Sequence, residues 1–245
     1  MYSPEPGTTE SLLGSDYHLD LGRRQRLGMV EAIWGEHKTA QQLAAIIDSL
    51  QAAGELALAT RVSPQKAVAV QQLLPDCPLQ YHEDARCLAS EPLPPIQPRA
   101  GRVVVLGAGT SDLPVAAEAR LALACHGIEA DLILDVGVAG LHRLLGRLDQ
   151  LRSADVLIAC AGMEGALPTV LAGLVSQPLI GVPVSVGYGV SAGGIAALHG
   201  MLASCAPGLT VVNIDNGYGA AMAALRILGM SLIRRGGLDD LATAQ

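Results

Sequence analysis

Six short runs of the sequence join glycine to residues that can do chemistry. The first is Gly107-Ala108-Gly109-Thr110-Ser111-Asp112, at the end of the apolar run RVVVLG (102–107). It opens like a dinucleotide-binding turn, but Asp112 stands where a third glycine belongs, and a carboxylate there repels a pyrophosphate. Either Ser111 and Asp112 cap the next helix, or Asp112 binds ribose hydroxyls while Thr110 and Ser111 meet a phosphate or carboxylate. The second run, Asp135-Val136-Gly137 to Gly140 and His142-Arg143, lets backbone approach a ligand closely. His142 is either a structural histidine or a site residue, and Arg143 either meets a phosphate or faces solvent.

In the third run, Cys160-Ala161-Gly162-Met163-Glu164-Gly165, a glutamate sits between glycines in an otherwise apolar stretch. Burial would raise its pKa and suit it to proton transfer; the alternative is a surface turn. The fourth run, Ser185 to Gly194, has Gly187, Tyr188 and Gly189 at its centre. Its amides can wrap a nucleotide and Tyr188 can stack on a ring, unless the segment is only a flexible lid. The fifth, Ser204-Cys205-Ala-Pro-Gly, holds a cysteine that is either a small buried hydrophobe or a nucleophile beside an electrophile. In the sixth, Asp215 and Asn216 precede Gly217-Tyr218-Gly219; they offer oxygens to a ribose or Mg²⁺, or cap the last helix.

These runs need elements to hold them. From 102 onward, apolar stretches alternate with helical ones: strands at 102–107, 131–138, 154–162, 178–185 and 209–215, and helices at 113–127, 139–153, 167–177, 193–206 and from 217. Continuous apolar strands alternating with helices predict a doubly wound, parallel three-layer αβα sheet, with ligands at the carboxyl ends of the strands. Ahead of it, EPLPPIQPRAG (91–101) is rich in proline, and 93–101 is expected to be a linker. Residues 17–92 are expected to form a smaller α+β domain. Its clearest helix is TAQQLAAIIDSLQAAG, with Thr39 as N-cap, Gln42 at capping-box spacing and Gly54 as stop. ELALATRV reads as a strand and SPQKAVAVQQLLP as a helix opened by Ser-Pro. Residues 1–16 are expected to be a mobile tail, and the catalytic domain is expected to span 102–235.

Composition excludes some partners. Net charge is −7, half of the residues are hydrophobic, and there are one Trp, five Tyr and no Phe. Only Lys38 and Lys66 are lysines. A nucleic-acid surface needs basic patches and stacking aromatics, so no nucleic acid is expected. The five cysteines are odd in number and form no C-x-x-C pair, which suits reduced cytoplasmic thiols. No apolar run approaches the length of a membrane span.

The runs GTSDLPVAAEA, DVGVAGLHRLL, ACAGMEGALPTVLAGLV, PVSVGYGVSAGG and SCAPGLTVVNIDNGYGAA resemble the LarB family throughout 101–225, and LGRRQRLGMVEAIWGEHKTAQQLAAI resembles that family's first domain. The core of LarB proteins is similar to PurE, the aminoimidazole ribonucleotide carboxylate mutase. The resemblance implies a PurE-like fold and a carboxylase-hydrolase. Nicotinic acid adenine dinucleotide, CO₂ or bicarbonate, and water would give pyridinium-3,5-biscarboxylic acid mononucleotide and AMP, on the way to a nickel-pincer cofactor.

It further implies Cys205 as the nucleophile and Glu164 as the essential glutamate, with Mg²⁺ as cofactor and no ligands assigned to it. The implied substrate contacts are Gly109, Thr110, Ser111, Asp112, Asp135, Gly137, His142, Gly162, Met163, Ser185, Gly187, Tyr188, Gly189, Asp215 and Asn216. A homo-oligomer is also implied, an octamer by analogy with PurE. One departure is clear. PurE enzymes carry a catalytic His before the Leu-Pro that follows their third strand, and here Ala166 precedes Leu167-Pro168. That argues against the mutase reaction; the other alternative is a non-catalytic nucleotide-binding module, in which Cys205 and Glu164 are incidental packing and loop residues.

Overall fold

The computed structural model describes residues 17–242, with side chains as far as Gly229; the tail expected over 1–16 lies outside the described residues. The chain divides into two compact units. One runs to His82 and adds Cys87–Pro92, and the other comprises Glu83–Arg86 and everything from Leu93.

The first unit contains α1 (Arg23–Leu27), β1 (Ala32–Trp34), α2 (Ala40–Ala52), β2 (Leu58–Thr60), α3 (Pro64–Leu73), β3 (Leu79–His82) and β4 (Cys87–Ser90). Strand order is β1-β2-β4-β3, with β1 parallel to β2 and the other pairs antiparallel. The Thr39–Gln42 capping box is present in full. Ser63 accepts the Lys66 amide at the start of α3. Leu43, Ile46, Ile47 and Leu50 of α2 pack with Ala59, Val62, Val70 and Leu88 into one core. The spacing of the α2 residues puts them on one helical stripe facing the sheet.

The second unit contains β5 (Arg102–Gly107), α4 (Leu113–Ala124), β6 (Glu129–Ile133), α5 (Leu141–Leu145), α6 (Leu148–Arg152), β7 (Val156–Ala161), α7 (Ala166–Ala172), β8 (Leu179–Pro183), α8 (Ile195–Leu202), β9 (Leu209–Val211) and α9 (Gly217–Ala242). All five strands are parallel, in the order β6-β5-β7-β8-β9. The order reverses between β5 and β7, which makes their carboxyl ends the switch point where such sheets leave a crevice. Alternate residues of the strands feed opposite faces. Val104, Leu106, Leu157 and Ala159 pack with Leu144, Leu151, Leu167, Leu171 and Met201 of α5 to α8. On the other face α4 and α9 lie together against the sheet.

Two contacts fix this second face. Gly217 opens α9 hard against α4, and a Cβ on it would overlap the Val115 carbonyl oxygen and sit 3.0 Å from the Ala119 nitrogen. Beside it the buried Glu118 accepts the Tyr218 amide at 2.8 Å, serving a helix-end donor that would otherwise be orphaned.

Some elements differ from the sequence reading. The strand expected over 131–138 runs from Glu129 to Ile133, because Asp135 takes a left-handed φ of 60° that no strand accommodates. The helix expected over 139–153 is two short helices parted at Gly146-Arg147. The one expected over 193–206 becomes a 3₁₀ segment, Gly189–Gly194, followed by α8. Strands β1, β3 and β4 were not anticipated.

The loops at the carboxyl edge are joined side to side. Val136 N–H donates to Gly107 O at 3.4 Å, Ala108 N–H to Cys160 O at 3.0 Å, Met163 N–H to Val186 O at 3.0 Å, and Asp215 N–H to Pro183 O at 2.8 Å. Asp112 adds to this chain from the switch point. It is 4% exposed, and its Oδ2 accepts the Gly109 amide at 2.8 Å. Burial pushes its pKa up, while the amides of Gly109, Gly162 and Ala108 pull it down and the charge of Asp215 raises it again; the net shift is upward.

Two predictions follow from these contacts. Gly217→Ala forces α9 off α4 and costs about 1–3 kcal/mol, read as a lower urea midpoint; an unchanged midpoint refutes the close packing. For Asp112 the folded carboxyl holds its proton to higher pH than the unfolded one. Its contribution to stability is therefore greatest below the ordinary aspartate range and falls as pH rises through the raised folded value. Relative to Asp112→Asn, which keeps an acceptor, the wild type loses stability across that window in urea titrations at stepped pH. A gain there contradicts the burial argument.

Candidate active site

The carboxyl edge gathers most of the residues singled out in the sequence. Gly109, Thr110, Ser111 and Asp112 follow β5; Thr110 and Ser111 are exposed beside the buried Asp112. Gly162 and Met163 follow β7. A Cβ on Gly162 would overlap the Val186 carbonyl oxygen, so the β7 and β8 loops touch backbone to backbone. Ser185 N–H donates to Asp215 Oδ1 at 2.8 Å, tying the β8 loop to the β9 loop. Asp135, Met163 and Asp215 have left-handed backbone, with φ of 60°, 53° and 53°. Strain of this kind in non-glycine residues persists only where neighbours enforce it, and it gathers at ligand-binding sites.

Several residues take the structural option open to them. The Asp112 carboxylate faces the loop amides of Gly109, Gly162 and Ala108 and makes no cap hydrogen bond to α4, so its structural role is to tie the loops and not the expected capping of the next helix. Asn216 Oδ1 accepts the Gly219 amide at 2.8 Å, which is capping geometry for α9. Arg143 pairs with Asp135 across the β6 loop. Gly137 lies against Ala108, where a Cβ would come to 2.8 Å from its carbonyl oxygen, and His142 is exposed at the start of α5.

The β8 loop is open. Gly187 is closed over by Ser191, while Gly189 has room around it. Tyr188 is 77% exposed and Val190 97% exposed. A ring so exposed is available to stack on a planar ligand.

Glu164 and Cys205 differ from the rest. Glu164 is exposed, which is the surface-turn alternative open to it in the sequence. Its carbonyl oxygen meets Gly200 of α8, where a Cβ would collide with it. Cys205 follows α8 and leads into the amino end of β9, so it does not share the carboxyl edge with Asp112 and Asp215. Ser204 holds this segment: its Oγ is 3.0 Å from Thr169 Oγ1 on α7 and accepts the Ala206 amide at 3.1 Å. Thus α7 and α8 link the Glu164 turn to the Cys205 loop. Thr169 and Gly200 were not singled out in the sequence. Thr169 lies within the same LPTV stretch, and its hydroxyl on an otherwise apolar helix was the available signal.

Of the five thiols, only Cys205 is exposed. Cys87, Cys125 and Cys160 are buried, and burial in the company of Asp112, Glu118 and Asp215 pushes the Cys160 thiol well up. Burial and then Asp48 raise Cys77. These four are poor nucleophiles. Among the described residues, no three His, Cys, Asp or Glu side chains gather to hold a metal. Mg²⁺ usually binds through one or two carboxylates together with phosphate oxygens and water, which needs no such cluster. Among the described residues, no helix is long and apolar enough to cross a membrane.

Both units are similar in sequence to known protein families. Residues 13–92 match the LarB/PurE-like N-terminal domain, and residues 102–235 match the AIR carboxylase domain. An uncharacterized protein of Methanocaldococcus jannaschii is 39% identical over 211 residues, covering 84% of this chain and 81% of its own. The N5-carboxyaminoimidazole ribonucleotide mutase of the same organism is 35% identical over 133 residues, covering 52% of this chain and 79% of its own. A solved PurE2 variant from Treponema denticola aligns with a TM-score of 0.41 at 19% identity, over 58% of this chain and 96% of its own. The chain belongs to the LarB family, in which a LarB-type N-terminal domain precedes a PurE-related, carboxylase-type domain.

Proposed function

We propose that the chain carboxylates C5 of the pyridinium ring of nicotinic acid adenine dinucleotide and hydrolyses its phosphoanhydride, yielding pyridinium-3,5-biscarboxylic acid mononucleotide and AMP. The observation that carries this reading is the solitary exposure of Cys205 among five thiols, on a loop pinned through Ser204 to the helix that follows Glu164.

The pyridinium is electron-poor and cannot attack CO₂ as it stands. Addition of the Cys205 thiolate at C4 breaks the aromaticity and leaves an enamine whose nucleophilic carbon is C5. That carbon bonds to CO₂, and its electron pair passes from the ring, which becomes an iminium. A base removes the C5 proton, the enamine re-forms, and the thiolate departs from C4 to restore the pyridinium. The net change is replacement of a ring proton by carboxylate, with the thiol regenerated. Covalent catalysis of this kind exchanges one inaccessible step for several easier ones.

Glu164, at the start of the α7–α8 link, is assigned as the proton carrier. Since Cys205 lies off the carboxyl edge of its own sheet, Tyr188 is assigned to stack on the ring, and the exposed Thr110 and Ser111 to meet a phosphate or carboxylate, from a second copy of the chain in the homo-oligomer that the resemblance implies. Mg²⁺, carried with the phosphates, would supply charge neutralisation for the hydrolysis. Asp112 is assigned as a positioning residue, since its carboxylate already organises the loop amides.

The mutase reaction named for the M. jannaschii relative is a second reading, supported by that 35% identity. Ala166, which carries no proton, speaks against it. Purified protein given the dinucleotide, bicarbonate and Mg²⁺ is expected to release AMP and a mononucleotide heavier by one carboxyl. Turnover of carboxyaminoimidazole ribonucleotide instead would favour the second reading.

Cys205→Ala is expected to lower carboxylation by at least about 10³-fold without shifting the unfolding midpoint; carboxylation at the normal rate removes the proposed nucleophile. Glu164→Gln is expected to lower kcat by about 10²–10⁴-fold, with Glu164→Asp recovering part of it. Equal loss in both variants, with KM rising and kcat unchanged, would reassign Glu164 to binding.

A further inference from the structure

We infer that the loops after β1 and β2 in the first unit form a second ligand site, which takes a mononucleotide. Trp34, the one tryptophan of the chain, ends the edge strand β1 and is 54% exposed. Its ring is held in place by polar neighbours. The His37 ring stands edge-on to it, 4.9 Å away at 74°, and the Arg61 guanidinium lies 6.0 Å from its centroid. The indole Nε1 donates to Glu36 Oε2 at 3.3 Å, and Glu36 in turn lies 3.6 Å from Arg61. Lys66 Nζ donates to the carbonyls of Gly35 at 2.7 Å and Glu36 at 2.9 Å, which locks the β1 loop against α3.

With Arg61 over one face and His37 at its side the indole is still 54% exposed, and the surface that remains offers stacking to a planar ring at little entropic cost. The surrounding charge selects an anion. Residues 34–39 and 60–66 hold Lys38, Arg61 and Lys66 against Glu36, three positive and one negative, in a chain whose net charge is −7. Both lysines of the protein are here. Thr39 and Ser63 each serve one first-turn amide of α2 and α3, those of Gln42 and Lys66. An exposed flat ring with Arg61 over it, and Lys38 and Lys66 on the adjoining segments, suits one nucleobase bearing one phosphate.

Backbone strain marks the place in the same way as at the larger sheet. Among the described residues, five non-glycine residues have left-handed backbone. Asp135, Met163 and Asp215 lie just past strands β6, β7 and β9, and Arg61, at φ 53°, lies just past β2. The fifth, Arg86, is accounted for by the tight turn between β3 and β4. Parallel β1 and β2 thus present their own carboxyl edge, with a strained cation beside an exposed ring.

The full chain can be titrated with AMP, adenosine and inorganic phosphate while tryptophan emission is followed, since Trp34 alone reports. Equilibrium dialysis of radiolabelled AMP against the wild type, Trp34→Leu and Arg61→Ala supplies a second readout. The expected result is a saturable emission change with AMP, weaker binding of adenosine and of phosphate alone, and a loss of about tenfold or more in AMP affinity in each variant. Unchanged unfolding midpoints would show that the variants fold.

Emission unmoved by AMP overturns the inference, as does dialysis binding that both variants retain, because the nucleotide would then sit elsewhere. Phosphate matching AMP in affinity overturns the assignment of a nucleotide. The readout does not involve Cys205: the Cys205→Ala chain is expected to titrate identically, so failure of the carboxylation chemistry and failure of this site are separately visible.

Discussion

Backbone lies against backbone along the carboxyl edge of the parallel sheet, and the rest of the second unit is arranged around that constraint. Each strand-end loop is hydrogen-bonded to the next: β6 to β5 through Val136, β5 to β7 through Ala108, β7 to β8 through Met163, and β8 to β9 through Asp215 and Ser185. The spacing requires glycine at Gly162 and Gly137, where a side chain would enter a neighbouring carbonyl. It also leaves Asp135, Met163 and Asp215 in left-handed conformations, which only a closed set of neighbours can maintain. The edge is therefore rigid before any ligand arrives, the condition for precise placement of reacting groups.

The Cys205 loop is built from the other direction. It leaves α8, is anchored by Ser204 to Thr169, and leads into β9. Its connection to the glycine-rich edge runs through α7 and α8, which meet where Gly200 faces the Glu164 carbonyl and Gly165 faces Ala197. The two halves of the proposed chemistry are thus joined by a helix pair whose approach depends on two glycines. The thiol and the glutamate are both exposed, whereas the remaining cysteines are buried or half-buried.

The strong signals in the sequence were those set by the core. RVVVLG and VLIACA are continuous apolar runs because β5 and β7 are buried on both faces, and the structure has them at Arg102–Gly107 and Val156–Ala161. Thr39 and Gln42 fixed the start of α2 by local chemistry. Where a functional turn interrupts a strand, the pattern misleads. Leu134-Asp135-Val136 continues the apolar alternation of β6, but the left-handed Asp135 has already ended it. The short strands β1, β3 and β4 were hidden because three or four residues beside charged neighbours carry no usable period. With β1 unseen, the setting of Trp34 was unseen too. At the site, glycine clustering pointed to close contacts. The exposure of Glu164 and the separation of Cys205 from the carboxyl edge are tertiary facts with no sequence period.

A covalent bond between Cys205 Sγ and the nicotinate ring is the central claim, and intact-protein mass spectrometry tests it most directly. The chain is mixed with nicotinic acid adenine dinucleotide without bicarbonate, and its intact mass is read at once without digestion. The account predicts a mass increase of one dinucleotide that disappears in Cys205→Ala. Active enzyme with no adduct on any cysteine, or an adduct that persists in the variant, contradicts it.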